Sequence, residues 1–165
     1  MIMAFAALSD NKRTWELIQL INPVNHGNDV ASIEKYKAEP YVIAADVYTL
    51  PLHKGRGGWT WYTGAAGWLY QLLTESFIGL KREEDKLYFM PCMPTHWNSV
   101  KIKYRYIDTV YGIELVQSNE NKVSKIWVDG KEETNDFITL INDGVEHEAK
   151  VIVEISNVDK PDFQK

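Results

Sequence analysis

The chain has 165 residues, of which 45% are hydrophobic, 25% charged and 12% aromatic, a composition that excludes a disordered or fibrous chain and fits one large domain or two small ones. The formal net charge of -5, with acidic excess in both halves, excludes a nucleic-acid partner, which requires a basic surface. A single cysteine, Cys92, excludes an internal disulfide and reads as a small buried hydrophobe rather than a nucleophile; no apolar run approaches the roughly 20 residues of a membrane span.

No charged leader precedes the N-terminus, so a cytoplasmic region is expected. Residues 1–8, MIMAFAAL, enter a helix-forming run without a capping residue, which reads as the interior of a longer chain. Ser9, Asp10 and Asn11 break that run and cap a second helix over 12–21. There Trp15, Ile18 and Ile21 recur every three residues until Pro23, so a helical hairpin is expected. Residues 22–39 form a long polar connection of the kind that often carries function. Pro40 suits the first turn of a further helix reaching about Tyr48. Residues 50–58, LPLHKGRGG, cannot be regular, whereas 63–80 reads as one helix with Trp68, Leu69, Leu72, Leu73 and Phe77 in an apolar stripe.

After the charge cluster at 81–86 the period changes. Residues 101–106 alternate strictly, and 111–116, 125–128 and 150–155 are short β-branched or aromatic runs, with Asp129-Gly130 and Asp143-Gly144 as turns. An antiparallel β half with one solvated and one buried face, built as a small sandwich, is expected. The fold class is therefore α+β: a helical part over 1–81, a β domain over 86–157 and a flexible tail over 158–165.

The stretch GRGGWTWYTGAAGW, residues 55–68, holds four glycines in its first ten positions and three of the six tryptophans. Glycines let backbone amides approach a ligand, and amides ahead of a helix favour an anion such as phosphate. Tryptophan faces suit the C–H faces of sugar rings. A carbohydrate beside an anion is one reading; tight packing of glycines with core aromatics is the other. The Walker pattern is missing, so this is no nucleotide loop. His26, His53, His96 and His147 are too scattered for a metal site.

The segments EPYVIAADVYTLPLHKGRGGWTWYTGAAGWLYQ and GLKREEDKLYFMPCMPTHW resemble the C-terminal part of glycoside hydrolase family 94, in particular its cyclic β-1,2-glucan synthases and 1,2-β-oligoglucan phosphorylases; the likeness covers about residues 1–155. The resemblance implies inverting phosphorolysis: inorganic phosphate, the co-substrate, attacks the anomeric carbon while one carboxylic acid protonates the leaving glycosidic oxygen. No other cofactor is implied. It further implies that residues 1–81 are the last helices of an (α/α)6 barrel and that a β-sandwich follows. The family's phosphate-binding Thr-Gly pair matches Thr63 and Gly64. From the sequence itself, Gly55, Arg56, Gly57, Gly58 and Trp59 are expected to form the lip of that pocket.

Three departures qualify the match. The family's acidic aspartate, and an arginine and a histidine of its phosphate site, align before Met1. Disaccharide phosphorylases of the family carry glutamine where this chain has Ala45, and Asp46 beside it is the nearest stand-in, with a capping or hydrogen-bonding role as the alternative. Glu39, Asp46 and Glu75 are the internal carboxylates nearest the site, but a general acid needs a raised pKa and reach to the leaving oxygen. The resemblance therefore implies a fragment of a β-1,2-glucan-active phosphorylase or synthase, carrying part of the phosphate site but not the acid and inactive alone. Its partners are a β-glucan oligosaccharide, phosphate, the rest of the catalytic domain and a second copy of the fragment. A synthase parent would be an inner-membrane protein. The alternative is a carbohydrate-binding module using Tyr104, Tyr106 and Tyr111 on one strand face.

Overall fold

A computed structural model of the chain describes residues 1–118 and 125–154; the expected tail over 158–165 lies outside the described residues. Helices come first and strands second, an α+β order. Helix α1 (Ile2–Ala7) breaks at Ser9, whose φ is 56°, and α2 (Asn11–Ile21) starts where the Asp10 carboxylate accepts from the Arg13 amide at 2.9 Å, a side-chain N-cap. Asn22 and Pro23 end α2 in a short 3-10 turn, Pro23–His26.

Two expectations are corrected in the next stretch. The polar connection contains α3 (Val30–Tyr36), capped by Asp29: an Asx cap offers the backbone a helix start even in a polar segment. Residues 40–48 are not helical but bends, with one bridge between Val47 and Gly57. Pro40 fits a turn as readily as a helix start, and tertiary pairing with the glycine loop decides.

Helix α4 (Thr63–Gln71) runs directly into a π-helical segment, Leu72–Phe77, so the single expected helix ends short of residue 80. The Thr74 hydroxyl donates to the Tyr70 carbonyl at 2.9 Å, and the Ile78 amide bonds back to Leu73 at 2.9 Å. The wider turn returns residue i+5 to the face of residue i. Leu72 and Phe77 are accordingly both buried. Gly79, at φ 80°, then reverses the chain, and a Cβ there would collide with the Met90 carbonyl.

The β half begins at Leu80 rather than 86, because the charge cluster is itself a hairpin: β1 (Leu80–Glu83) pairs with β2 (Lys86–Phe89), and β7 (Phe137–Thr139) completes a three-stranded sheet in the order β1-β2-β7. A five-stranded sheet has the order β3 (Ser99–Tyr106), β4 (Thr109–Ser118), β8 (Glu146–Glu154), β5 (Lys125–Val128), β6 (Lys131–Glu132). Asp129-Gly130 forms the expected tight turn, with positive φ at both residues. The sheet is not purely antiparallel: β4 and β8 run parallel. A long excursion through β5, β6 and β7 separates them in sequence, which a parallel neighbour requires.

Leu87, Phe89 and Ile138 from the smaller sheet, with Leu140 just beyond its last strand, share one core with Tyr111, Ile113, Leu115, Ala149, Val151 and Val153 from the larger. The tyrosine trio lies on this core side. Tyr111 is 1% exposed and Tyr104 and Tyr106 are half-buried against the core, which corrects the expectation of a sugar platform there.

Helices join that core through Ile18, Leu72 and Phe77. Trp15 stacks on Phe77 at 5.6 Å, and Trp97 meets both edge-on, at 5.3 and 5.6 Å. Beneath them the buried Cys92 thiol donates to Asn11 Oδ1 at 3.1 Å, and burial pushes its pKa up.

At one end of the large sheet, buried His147 faces two carboxylates: Nδ1 lies 2.7 Å from Asp129, and Nε2 3.2 Å from Asp143. A neutral imidazole can donate from only one nitrogen, so the site suits imidazolium. The Asp129 hydrogen bond holds the His147 pKa above its usual value despite burial. The His147 hydrogen bond lowers Asp129; for Asp143, the Val145 amide is the first cause of lowering, with His147 behind it. Stability from His147 is therefore complete below its unfolded pKa of about 6.5 and is lost as pH rises through the raised folded value. That from the aspartates is present above about 3.8 and lost as pH falls through their lowered values. Thermal melts should accordingly show His147→Gln lowering Tm most near pH 5.5 and least near pH 9. An equal deficit at both pH values would refute ion pairing at this site.

Candidate functional site

The glycine-tryptophan stretch doubles back on the segment before it. The Ala45 amide donates to the Trp59 carbonyl at 2.8 Å, the Gly58 amide to Asp46 at 2.8 Å, and Tyr48 and Arg56 bond at 2.9 Å. The 3-10 turn Pro51–His53 closes the tip. The bare backbone is needed inside this loop. A Cβ on Gly57 would press on Ala38 and the Tyr36 ring, and one on Gly58 would collide with the Asp46 carboxylate.

Asp46 is thereby accounted for. Its Oδ1 accepts from the Trp59 amide at 2.9 Å and fixes the loop base. Glu39 accepts from the Trp61 indole N–H at 3.0 Å, and that bond is the first cause of a pKa below the ordinary glutamate value. A lowered pKa keeps Glu39 ionised, the reverse of what a general acid needs. Glu75 is engaged along its own helix by Gln71 at 3.0 Å.

These contacts present an aromatic surface to solvent. Trp59, Trp61 and Trp68 are exposed, Trp59 packs 5.0 Å from Tyr62, and Trp61 packs 6.2 Å from Tyr41. Trp61 adopts φ 61°, a left-handed conformation uncommon for a bulky residue. The Glu39 bond spans the cost of holding it.

Thr63 and Gly64 follow at once, both exposed, as the first two residues of α4. The N-cap, Tyr62, contributes no side-chain hydrogen bond. Helix-start amides without an internal acceptor, beside a hydroxyl, form a neutral donor set for an anion. Of the expected lip, Gly57 is buried and Gly55 and Gly58 are half-buried inside the loop, whereas Arg56 and Trp59 face solvent. Sequence reasoning missed Tyr36 and Tyr41 as parts of this arrangement, and placed Glu39 near the site only as a candidate acid, not as the partner of Trp61. Glu39 and Trp61 are 22 residues apart, and no local periodicity links them.

The histidines lie apart from one another here. His26 stacks on Tyr36 at 4.2 Å, His53 lies near Tyr48, and His96 packs edge-on to Trp15. Among the described residues no group of three or more acidic, histidine or cysteine side chains could hold a metal ion, and no helix is long and apolar enough to cross a membrane.

Comparison with known proteins gives this surface a context. Residues 1–79 match the glycosyl hydrolase 94 superfamily, catalytic domain. The chain is 38% identical over 120 residues to the cyclic beta-(1,2)-glucan synthase NdvB of Rhizobium meliloti, covering 73% of this chain and 4% of the synthase. It is 31% identical over 156 residues to the N,N'-diacetylchitobiose phosphorylase of Vibrio furnissii, 92% of this chain and 19% of that protein. A 1,2-beta-oligoglucan phosphorylase of Listeria innocua is 28% identical over 111 residues, 56% of this chain and 10% of that protein. The chain thus spans less than a fifth of each.

The loop base offers a direct test. Asp46→Ala removes the acceptor of the Trp59 amide and should cost about 1 kcal/mol, with faster amide exchange at Trp59 and faster proteolysis within residues 50–58. Asp46→Asn keeps an acceptor oxygen and should behave nearly as wild type. Equal effects of the two substitutions would assign the role to charge instead.

Proposed function

With residues 1–79 recognised as glycosyl hydrolase 94 catalytic-domain sequence, we propose that this chain supplies part of the phosphate site, and the aromatic wall beside it, in a β-1,2-glucan-active phosphorylase or synthase. The observation that carries the reading is the placement of Thr63 and Gly64 at the uncapped start of α4, next to exposed Trp59, Trp61 and Tyr62. A phosphate oxygen attacks the anomeric carbon of the terminal sugar. The glycosidic bond breaks, its oxygen takes a proton from a carboxylic acid, and glucose 1-phosphate and a shortened glucan result. Neutral donors suit this step, because a hydroxyl and amides hold the anion without forming an ion pair that would blunt its nucleophilicity.

The acid is supplied by the remainder of the catalytic domain. Glu39 is held ionised and Asp46 fixes the loop base, so neither favours proton donation. The chain by itself should release no glucose 1-phosphate from β-1,2-gluco-oligosaccharides and phosphate. Release at an enzyme-like rate would place the acid within residues 1–165.

The same domain remainder accounts for an apolar groove of about 430 Å3 between α1, α2 and α4, lined by Ile2, Met3, Leu17, Leu20, Trp68 and Leu69 among others. In this reading residues 1–81 are the closing helices of an (α/α)6 barrel, and the groove receives neighbouring helices. Alone, the chain should self-associate through this face, since large exposed apolar patches find partners. Light scattering that reports a monomer at high concentration would count against it.

In the complete enzyme, Thr63→Val preserves volume and removes a hydrogen bond to a charged ligand, worth about 1.5 to 3 kcal/mol. Apparent phosphate affinity should fall roughly 10- to 150-fold. Glucan affinity and Tm should change little, since Thr63 is exposed. Steady-state rates across a phosphate series, with melting curves on the same samples, decide; an unchanged phosphate dependence would remove Thr63 from the site.

A further inference from the structure

The solvent face of the five-stranded sheet carries a second concavity, of about 470 Å3, lined by Glu114 on β4, Trp127 on β5, Glu148, Lys150 and Ile152 on β8, and Gly130 of the β5-β6 turn. It lies on the opposite face from the tyrosines, since Glu114, Glu148 and Lys150 alternate along their strands with the buried Ile113, Leu115, Ala149 and Val151. Register fixes its centre: Lys150 is flanked by Glu114 on one neighbouring strand and by Trp127 on the other. Gly112 contributes no side chain, and the Glu148 carboxylate leans over that gap, where a Cβ would meet it at 2.9 Å.

The charges in this groove behave differently from those around it. Elsewhere on the face, Lys103 pairs with Glu146 at 3.5 Å, and Lys125 with Glu132 at 3.1 Å. The side chains of Glu114, Glu148 and Lys150 have no ion-pair or hydrogen-bond partner among the described residues, and neither does the indole N–H of half-buried Trp127. Lys125 Nζ, 5.9 Å from the Trp127 ring centre, closes one end.

The structure assigns this groove as a secondary binding site for a neutral glucan chain, separate from the phosphate-bearing surface; the choice of glucan rests on the function proposed above. An indole offers a flat apolar surface to sugar C–H groups. Two carboxylates accept hydroxyl hydrogens, while one ammonium and one indole N–H donate to hydroxyl oxygens. Two acids against Lys150, with Lys125 already paired to Glu132, disfavour an anionic ligand. The groove suits a hold on a long substrate, because a second weak contact raises the local concentration of chain at the first.

The test is calorimetric titration of the 165-residue chain with linear β-1,2-gluco-oligosaccharides in phosphate-free buffer. Wild type should bind without phosphate. Trp127→Ala should weaken binding at least about tenfold, Trp127→Tyr should retain most of it, and Glu114→Gln with Glu148→Gln, both at solvent-facing positions that leave the fold intact, should weaken it several-fold. Lys103→Ala, on the same sheet face but outside the groove, should leave it unchanged, whereas Trp59→Ala reports any sugar held by the helical surface. No binding by wild type, or equal binding by wild type and Trp127→Ala, overturns the groove; loss with Trp59→Ala alone moves the sugar to the helical surface. Failure of the phosphate reading is seen separately, as an unaltered phosphate dependence of Thr63→Val in the complete enzyme.

Discussion

The packing of Trp15, Phe77 and Trp97 is the constraint on which the arrangement of the two halves depends. Each ring comes from a different part of the chain: α2, the π-helical turn, and the segment that leads into β3. Aromatic groups bury large areas and gain further from stacked and edge-on contact, so three rings can fix a joint that short helices could not fix alone. The segment between the sheets is pinned into it. The Met90 amide bonds to Gly79, the Cys92 amide to Phe77, and Gln117 holds the Pro94 and Trp97 carbonyls. The π turn belongs to the same device, since an unbroken α-helix would carry Phe77 away from the face of Leu72.

The candidate site sits away from this joint, on the helical half, and its order has another origin. Few of its residues are buried, so hydrogen bonds rather than packing shape it. Asp46, Glu39 and the Tyr36 carbonyl, which accepts from the Gly57 amide at 2.8 Å, each tie the loop to the segment before it. The outcome is a surface with exposed indoles and open amides on a defined backbone. Such exposure costs stability but leaves apolar faces and donors available to a ligand.

Much of this was legible in the sequence where one interaction dominates locally. The Asp10 cap, the Pro23 stop, the Asp129-Gly130 turn and the alternation of residues 101–106 each encode their conformation within a few positions. The failures share a cause. The helix expected after Pro40 gave way to pairing with a loop ten residues on, and the parallel partnership of β4 with β8 arises from strands separated by the whole β5–β7 excursion. In the candidate site, Thr63 and Gly64 were readable as a motif, but the commitment of Asp46 and Glu39 to the loop was not. Those bonds span 13 and 22 residues and follow no period.

The two carboxylates make the chemical logic of the loop specific. Glutamate and aspartate near an exposed aromatic surface invite assignment as acid or nucleophile, and separation alone would not decide. What decides is the donor each one faces. The Trp61 indole N–H favours the ionised form of Glu39, and the Trp59 amide occupies Asp46 Oδ1. Glu39 and Asp46 therefore serve to hold Trp61 and Trp59 in place. A general acid needs the opposite setting, one whose neighbours disfavour its charge, and that setting is the inverse of the donor-rich surface built around Thr63.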